Sequence, residues 1–151
     1  MRKLNKAYWK KFTNDKWILD IVHPGYKIEF FEEPYQKEIP KQIHFNEVEF
    51  NLVSIEVQTL IAKGAIEEVG DISDAFLSNI FLVPKKDGTL RPIINLKHLN
   101  KFIEYHHFKQ ENLSFALELI QQNDYLTSVD LKDAYFSVSV HPDYKKFLTF
   151  T

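Results

Sequence analysis

The stretch Ser128-Val129-Asp130-Leu131-Lys132-Asp133-Ala134-Tyr135 is the most informative part of this sequence. Residues 126–129 are apolar or β-branched apart from one serine, which predicts a short buried strand that ends at the carboxylate of Asp130. Such a carboxylate is a hard oxygen ligand for Mg²⁺, and the turn behind it offers backbone N–H groups to phosphate oxygens. Tyr135 would then form a flat wall beneath a sugar ring. The alternative is that Asp130 and Asp133 simply cap a strand-to-helix turn, where Asp is favoured.

Residues 79–101 form the second informative segment and read NIFLVPKKDGTLRPIINLKHLNK. Two apolar runs flank Asp87-Gly88, a pair that strongly predicts a hairpin turn. The hairpin would place Lys85 and Lys86 at its tip and Arg91 on the returning strand. Three cations on a projecting ribbon could close over a polyphosphate, since Arg binds it through a bidentate fork and Lys through a point charge. Taken alone, however, a Lys-Lys-Asp-Gly turn is more often just a solvated hairpin tip.

Taken together, the two segments resemble the reverse transcriptases. The similarity rests on the Val-Pro-Lys-Lys-Asp-Gly-x-x-Arg-Pro hairpin, the Leu-Asn-Lys that follows it, and the run Asp-Leu-Lys-Asp-Ala-Tyr-Phe, which is similar to the first palm motif. Residues 63–67 and 141–150 also match, so the resemblance covers about residues 46 to 151. Within the family, the sequence looks most similar to the DIRS-like retrotransposons, which carry a tyrosine recombinase. That narrower prediction rests on the hairpin and on residues 17–21 and 25–30.

The resemblance implies a metal-dependent site around the first palm motif. Asp130 matches the first catalytic aspartate, which binds both Mg²⁺ ions of a two-metal polymerase site. Val129 and Leu131 flank it, and the family uses a backbone carbonyl there as a further metal ligand. Asp133 and Ala134 match the positions whose backbone N–H groups hold the triphosphate of a dNTP.

The resemblance also implies roles for one aromatic residue and for the hairpin cations. Tyr135 matches the residue that excludes a ribose 2′-hydroxyl and so selects deoxynucleotides. Either Lys85 or Lys86 matches the lysine on the γ-phosphate, and Arg91 matches the arginine on the α-phosphate. The chain departs from many relatives at residues 95–97, where Asn-Leu-Lys replaces Asp-Leu-Arg or Asp-Tyr-Arg; we expect this to weaken a contact within the fingers or to the template.

The second acidic motif of the family does not occur in these 151 residues, which contain no Tyr-x-Asp-Asp or Phe-x-Asp-Asp. One aspartate cannot hold two Mg²⁺ ions, so we predict that this chain alone does not polymerise. The predicted fold class is α+β, comprising the fingers and the start of the palm of a right-hand polymerase fold, incomplete because the sequence stops within the next palm strand. We expect an N-terminal extension and linker over residues 1–45 and the truncated polymerase domain over residues 46–151.

Composition agrees with a folded intracellular protein. The chain has 44% hydrophobic residues, no cysteine and no apolar run long enough for a membrane span or a signal peptide. We therefore expect no membrane partner, a location in the cytoplasm or nucleus, and RNA or DNA template-primer and dNTPs as partners of the parent protein. The formal net charge is −2, but residues 85–109 hold six bases against two acids, interleaved with aromatic rings. That pattern is typical of a nucleic-acid track, although a solvated basic loop is the alternative.

The remaining pattern predicts the other elements of secondary structure. We expect a helix within residues 5–23, an extended linker over 24–45, a strand over 65–69 and a helix over 114–122. Residues 46–63 fit a helix ended by Lys63-Gly64, although Phe50 and Val57 also fit the alternation of a strand.

Three functional interpretations remain open at this point. The first is a reverse-transcriptase fragment whose parent synthesises DNA by two-metal nucleotidyl transfer. The second is a non-catalytic remnant of the fingers that only binds nucleic acid. The third is a product that folds poorly because its last strands lack neighbours and expose a sheet edge.

Overall fold

The computed structural model describes residues 4–107, 112–131 and 134–151. Two short helices open the described chain, α1 (Lys6–Trp9) and α2 (Lys16–Val22). The single helix predicted within residues 5–23 is therefore divided. The division occurs because the side chain of Asp15 accepts hydrogen bonds from two backbone N–H groups and starts a new helix.

Residues 24–45 contain no helix and no extended strand, as predicted, but they pack closely against later parts of the chain. Gly25 lies beneath residues 139–141, and Tyr26 exchanges backbone hydrogen bonds with Ser139 and His141 at 2.8 and 2.9 Å. The side chain of Gln36 pairs with the backbone of Leu77, accepting from its N at 2.6 Å and donating to its O at 2.7 Å. The proposed boundary at residue 45 stays a prediction.

Helix α3 (Glu47–Ala62) confirms the helix predicted over residues 46–63. Asn46 and Glu49 form a capping box at its start, with both reciprocal hydrogen bonds at 3.0 Å. Gly64 follows its end with a φ of +66°, a conformation that glycine adopts at little cost. The strand predicted over residues 65–69 is wrong. This segment is a loop, because no neighbouring backbone pairs with it in the described part of the chain.

The strands form two small sheets. Strand β1 (Leu77–Ser78) pairs in parallel with β4 (Thr149–Phe150), and β2 (Ile80–Pro84) pairs antiparallel with β3 (Leu90–Ile94). The predicted hairpin is therefore confirmed. Three buried side chains form the core beside β1, namely Phe76, Leu99 and Phe147, and further partly buried side chains surround them: Phe30, Leu96, Phe102, Tyr144 and Leu148.

Short 3₁₀ helices complete the structure at Leu99–Phe102, Ala134–Ser137 and Pro142–Leu148. Helix α4 (Leu113–Leu119) confirms the helix predicted over 114–122, although it ends earlier. The mixture of helices and strands agrees with the predicted α+β class. Among the described helices, none combines the length and the apolar character that a bilayer crossing requires.

Candidate functional site

The hairpin β2–β3 projects a tight five-residue tip, residues 85–89. Within it, the backbone N of Lys85 donates to the carbonyl of Thr89 at 2.7 Å, and the N of Gly88 donates to the carbonyl of Lys85 at 3.0 Å. Gly88 has a φ of +80°, which side-chain-bearing residues rarely adopt. The Asp-Gly pair recognised in the sequence is thus the turn that returns the chain toward Arg91.

Asp87 organises this tip, a role that the sequence reasoning missed. One of its carboxylate oxygens, Oδ1, accepts hydrogen bonds from the hydroxyl of Thr89 at 2.6 Å and from the backbone N of Thr89 at 3.0 Å. These bonds, with a smaller contribution from the charge of Lys85, hold the pKa of Asp87 below its usual value. The sequence signal that could have indicated these two hydrogen bonds is a threonine two residues after the aspartate.

An open groove of about 630 Å³ lies between the hairpin and helix α3. Its hairpin wall is formed by Lys85, Leu90, Arg91 and Pro92, and its helix wall by Val48, Asn51, Leu52, Ile55 and Glu56. Two of the three predicted hairpin cations, Lys85 and Arg91, thus line one concave surface. Lys86 does not line it.

The two cations differ in their immediate surroundings. Arg91 is exposed and pairs across the ladder with Val83. In the part of the chain that the structure describes, its guanidinium has no hydrogen bond and no ion pair. The ammonium of Lys85 forms no hydrogen bond to a described side chain, although its charge acts on Asp87. Both cations are therefore available to an anionic ligand.

The surroundings of Asp130 differ from the sequence prediction. The buried strand predicted over residues 126–129 is wrong, because these residues are irregular and exposed, with Val129 78% exposed. No backbone in the described ranges pairs with them, and their side chains are exposed. Asp130 is exposed and has no hydrogen-bond or ion-pair partner among the described residues. Leu131 is also exposed.

The turn after Asp130 is only partly described. Asp133 lies outside the described residues. Ala134 begins the 3₁₀ helix Ala134–Ser137, and Tyr135 is 96% exposed, so its ring is free to contact a ligand. Over residues 4–107, 112–131 and 134–151, no three His, Asp or Glu side chains converge as a metal site would require.

The predicted nucleic-acid track after the hairpin presents a charged and aromatic surface. Lys97, Lys101 and Tyr105 are exposed, and Nε2 of His106 lies 2.8 Å from a carboxylate oxygen of Glu29. The cations and the ring of Tyr105 are thus accessible, as contact with a polyanion requires.

A smaller cavity of about 270 Å³ lies behind β1 and includes Lys41, Asn79, Asn95 and His98 in its lining. The amide nitrogen of Asn79 donates to the carbonyl of Lys41 at 2.6 Å, while its buried Oδ1 has no partner among the described residues. The sequence reasoning did not single out Asn79, and no sequence motif marks it.

Comparison with known proteins finds one family to which the segment with most of the hairpin is similar. Residues 83–151 match the family described as reverse transcriptase (RNA-dependent DNA polymerase). The matched segment begins in β2 and includes Lys85, Arg91, Asp130 and Tyr135. The match covers less than half of the chain.

The chain is also similar to three kinds of polyprotein. It is 30% identical over 95 residues to the Pol polyprotein of equine infectious anemia virus (strain Wyoming), and 30% identical over 99 residues to the Gag-Pol polyprotein of bovine immunodeficiency virus. Each alignment covers 63% of this chain, and 8% and 6% of those polyproteins. The Transposon Tf2-3 polyprotein of Schizosaccharomyces pombe is 36% identical over 61 residues, which are 40% of this chain and 5% of that polyprotein. The chain thus spans less than a tenth of the length of these relatives, which are of retroviral and retrotransposon type.

Proposed function

We propose that this chain is the fingers and the first palm motif of a retroelement reverse transcriptase whose parent protein synthesises DNA on an RNA or DNA template. The observation that carries the proposal is the hairpin β2–β3, which lies largely within the matched segment and lines one groove with Lys85 and Arg91. Two unpaired cations on one concave wall suit a triphosphate, because charge-assisted hydrogen bonds to phosphate are short and strong.

In this proposal the hairpin binds and orients the incoming nucleotide. Arg91 contacts one phosphate through its planar fork, and Lys85 contacts another as a point charge. Lys85 is preferred to Lys86 because it shares the groove with Arg91. Asp87 keeps the tip closed through Thr89, so the hairpin needs little reorganisation when the nucleotide arrives.

Asp130 is proposed as the first metal-binding aspartate, with a carbonyl of Val129 or Leu131 beside it. In this role it would hold Mg²⁺, which supplies charge neutralisation at the reacting phosphate. The described residues do not form a complete two-metal site, because Mg²⁺ takes several oxygen ligands and no three His, Asp or Glu side chains converge among those residues. We therefore propose that the chain alone does not polymerise and that further carboxylates are required.

Primer extension tests this function. A protein that joins this chain to the remaining palm carboxylates of its reading frame should add dNTPs to a template-primer in the presence of Mg²⁺, whereas residues 1–151 alone should not. An aromatic-x-Asp-Asp motif should occur on the order of a hundred residues downstream of Asp130. A reading frame without that motif, together with absent extension, would contradict the polymerase proposal.

A second candidate function is nucleic-acid binding without chemistry. The exposed side chains of Lys97, Lys101 and Tyr105 favour it, since they form a cationic and aromatic surface beside the hairpin. Filter binding of single-stranded RNA at two salt concentrations measures this activity directly. RNA binding by a longer protein that carries the acidic motif but adds no nucleotide would favour this candidate over the first.

We also propose that the parent belongs to the DIRS-like group of retrotransposons. The support is the Val-Pro-Lys-Lys-Asp-Gly hairpin together with residues 17–21 and 25–30. The genomic element that encodes this chain should then carry a tyrosine recombinase gene. An integrase gene in that position would contradict the assignment.

A further inference from the structure

Helices α1 and α2 and the turn between them carry exposed aromatic rings and lysines that have no acidic partner among the described residues. We propose that these side chains bind single-stranded nucleic acid, and we call them the N-terminal patch: Tyr8, Lys10, Lys11, Phe12, Lys16 and Trp17. The patch lies outside residues 83–151, the segment that matches the reverse-transcriptase family. The inference therefore does not depend on the proposed polymerase function.

The aromatic rings of the patch are largely in contact with solvent. Tyr8 is 58%, Phe12 69% and Trp17 63% exposed. The rings of Tyr8 and Phe12 contact each other with their centroids 5.1 Å apart, and Nζ of Lys11 lies 5.9 Å from the centre of the Tyr8 ring. Rings of this kind can stack on bases of any sequence, because every base has a π-face.

The two acids within residues 6–20, Asp15 and Asp20, form local hydrogen bonds, and the four lysines of the same segment leave it positive. The carboxylate of Asp15 accepts the backbone N–H groups of Trp17 and Ile18 at 2.8 and 3.3 Å. The carboxylate of Asp20 lies 3.1 Å from Nζ of Lys6.

The three lysines of the patch, by contrast, are exposed and have no acidic partner among the residues that the structure describes. These are Lys10, Lys11 and Lys16. Lysines without acidic partners can each neutralise a phosphate and release its counterions.

Exposed apolar side chains alone do not single out this surface, since other parts of the chain expose them as well. Helix α3 exposes Val48, Phe50 and Ile55, and residues 113–131 expose Phe115 and Tyr125. Both segments contain three acids each and neither Lys nor Arg. The N-terminal patch differs from both because its rings and its unpaired cations occur together, which is the combination that a polyanion with stacking bases requires.

A membrane surface would use the same charges but a different apolar geometry. A helix that lies in a bilayer interface presents a continuous apolar face to the lipid. In α2 the apolar residues Leu19 and Val22 are buried inside the protein, and α1 is only four residues long. The exposed rings therefore do not form part of a continuous apolar helix face, which favours bases as the ligand.

Intrinsic fluorescence can test the proposal directly, because the only two tryptophans of the chain, Trp9 and Trp17, lie in this region. In a Trp9→Phe variant of residues 1–151, an oligothymidylate of about 20 nucleotides, long enough for one site of this type, should quench Trp17 at low salt. Added salt should weaken the binding. Phe12→Ala in this background should weaken it about tenfold, as expected for the loss of one stacking ring.

The salt dependence of binding tests the lysines of the patch against a matched control variant. Lys10→Gln/Lys11→Gln should reduce the slope of log K against log salt by about 1.4, since each phosphate contact on a single strand contributes about 0.7. Lys27→Gln/Lys37→Gln removes the same charge at exposed positions outside the patch and should leave the slope unchanged. An equal reduction of this slope in the two double variants would mean that binding depends only on the net charge of the chain, and it would overturn the proposal.

Two other outcomes would also overturn it. One is the absence of oligonucleotide quenching while circular dichroism shows a folded chain. The other is a blue shift of Trp17 on phosphatidylserine vesicles without any response to the oligonucleotide, which would assign the patch to membranes.

Discussion

The hydroxyl of Thr89 donates a 2.6 Å hydrogen bond to the carboxylate of Asp87 at the tip of the hairpin. The backbone N of Thr89 donates to the same oxygen. The two bonds close the turn between Lys85, which lines the groove beside α3, and the strand that carries Arg91. An acid thus fixes the geometry of the ribbon whose cations are proposed to bind phosphate.

Thr89→Ala should raise the pKa of Asp87 toward its ordinary value of 3.8, because the bond from the Thr89 hydroxyl is the largest cause of the lowered pKa. Because the pKa of Asp87 is lower in the folded protein than in the unfolded chain, the ionised carboxylate stabilises the tip at pH values above 3.8. This stabilisation is lost as the pH falls through the lowered pKa of the folded protein. NMR titration of the Asp87 carboxyl measures this pKa in the original protein and in the variant. Ser73→Ala is the control, since it should shift the pKa of Asp71 and leave that of Asp87 unchanged.

Arg91→Ala, in a longer protein that polymerises, should raise the apparent KM for dNTP about ten- to hundredfold. A hydrogen bond to a charged group contributes about 1.5–3 kcal/mol. Lys85→Ala should act in the same direction, whereas Lys86→Ala should have a smaller effect because Lys86 does not line the groove. Steady-state kinetics measures all three variants. An unchanged KM for Arg91→Ala would assign the phosphate contact to another residue.

Asp130→Asn should abolish nucleotide incorporation in the same longer protein while leaving template-primer affinity nearly unchanged, because the amide loses the charge that holds Mg²⁺. Gel-based primer extension and fluorescence anisotropy measure the two properties. Glu118→Gln removes an exposed carboxylate of α4 and should affect neither. Full incorporation by Asp130→Asn would refute the metal-binding role.

Tyr135→Ala should allow the longer protein to incorporate ribonucleotides, since the ring is proposed to exclude the 2′-hydroxyl. The measurement is the ratio of kcat/KM for dNTP and rNTP. Tyr125→Ala removes a similarly exposed ring and should leave the ratio unchanged. Unaltered sugar selectivity in Tyr135→Ala would contradict the proposed role of Tyr135 in excluding the 2′-hydroxyl.

Gly25→Ala should lower the free energy of unfolding by about 3 kcal/mol or more. An added Cβ would lie 2.8 Å from the backbone N of His141 and from the carbonyl oxygen of Ser139, and the φ of +137° is unfavourable for alanine. Gly70→Ala is the control, because its added Cβ would meet no atom within 4 Å, and it should change stability by less than about 0.5 kcal/mol. Urea denaturation monitored by circular dichroism measures both. Equal stabilities would show that residues 24–30 do not pack on residues 139–141.

Elements defined by hydrogen bonds between near neighbours in sequence could be predicted. Helix α3 begins at the capping box of Asn46 and Glu49, and the hairpin turns at Asp87-Gly88, so each signal lies within a few residues of the structure it specifies. The strands predicted over 65–69 and 126–129 were wrong because a strand depends on pairing with a backbone that is distant in the sequence. An apolar run becomes a strand only where another backbone pairs with it.

The hairpin and its three cations could be predicted from the sequence, because turn chemistry is a local property of the chain. Only the tertiary structure decided that Lys85 rather than Lys86 shares a groove with Arg91, and that Phe30 and Gln36 of the proline-containing segment pack against the core and β1. The physical reason is that these relations depend on which distant surfaces meet. Burial and backbone pairing between remote residues settle that question, and no local residue pattern reveals it.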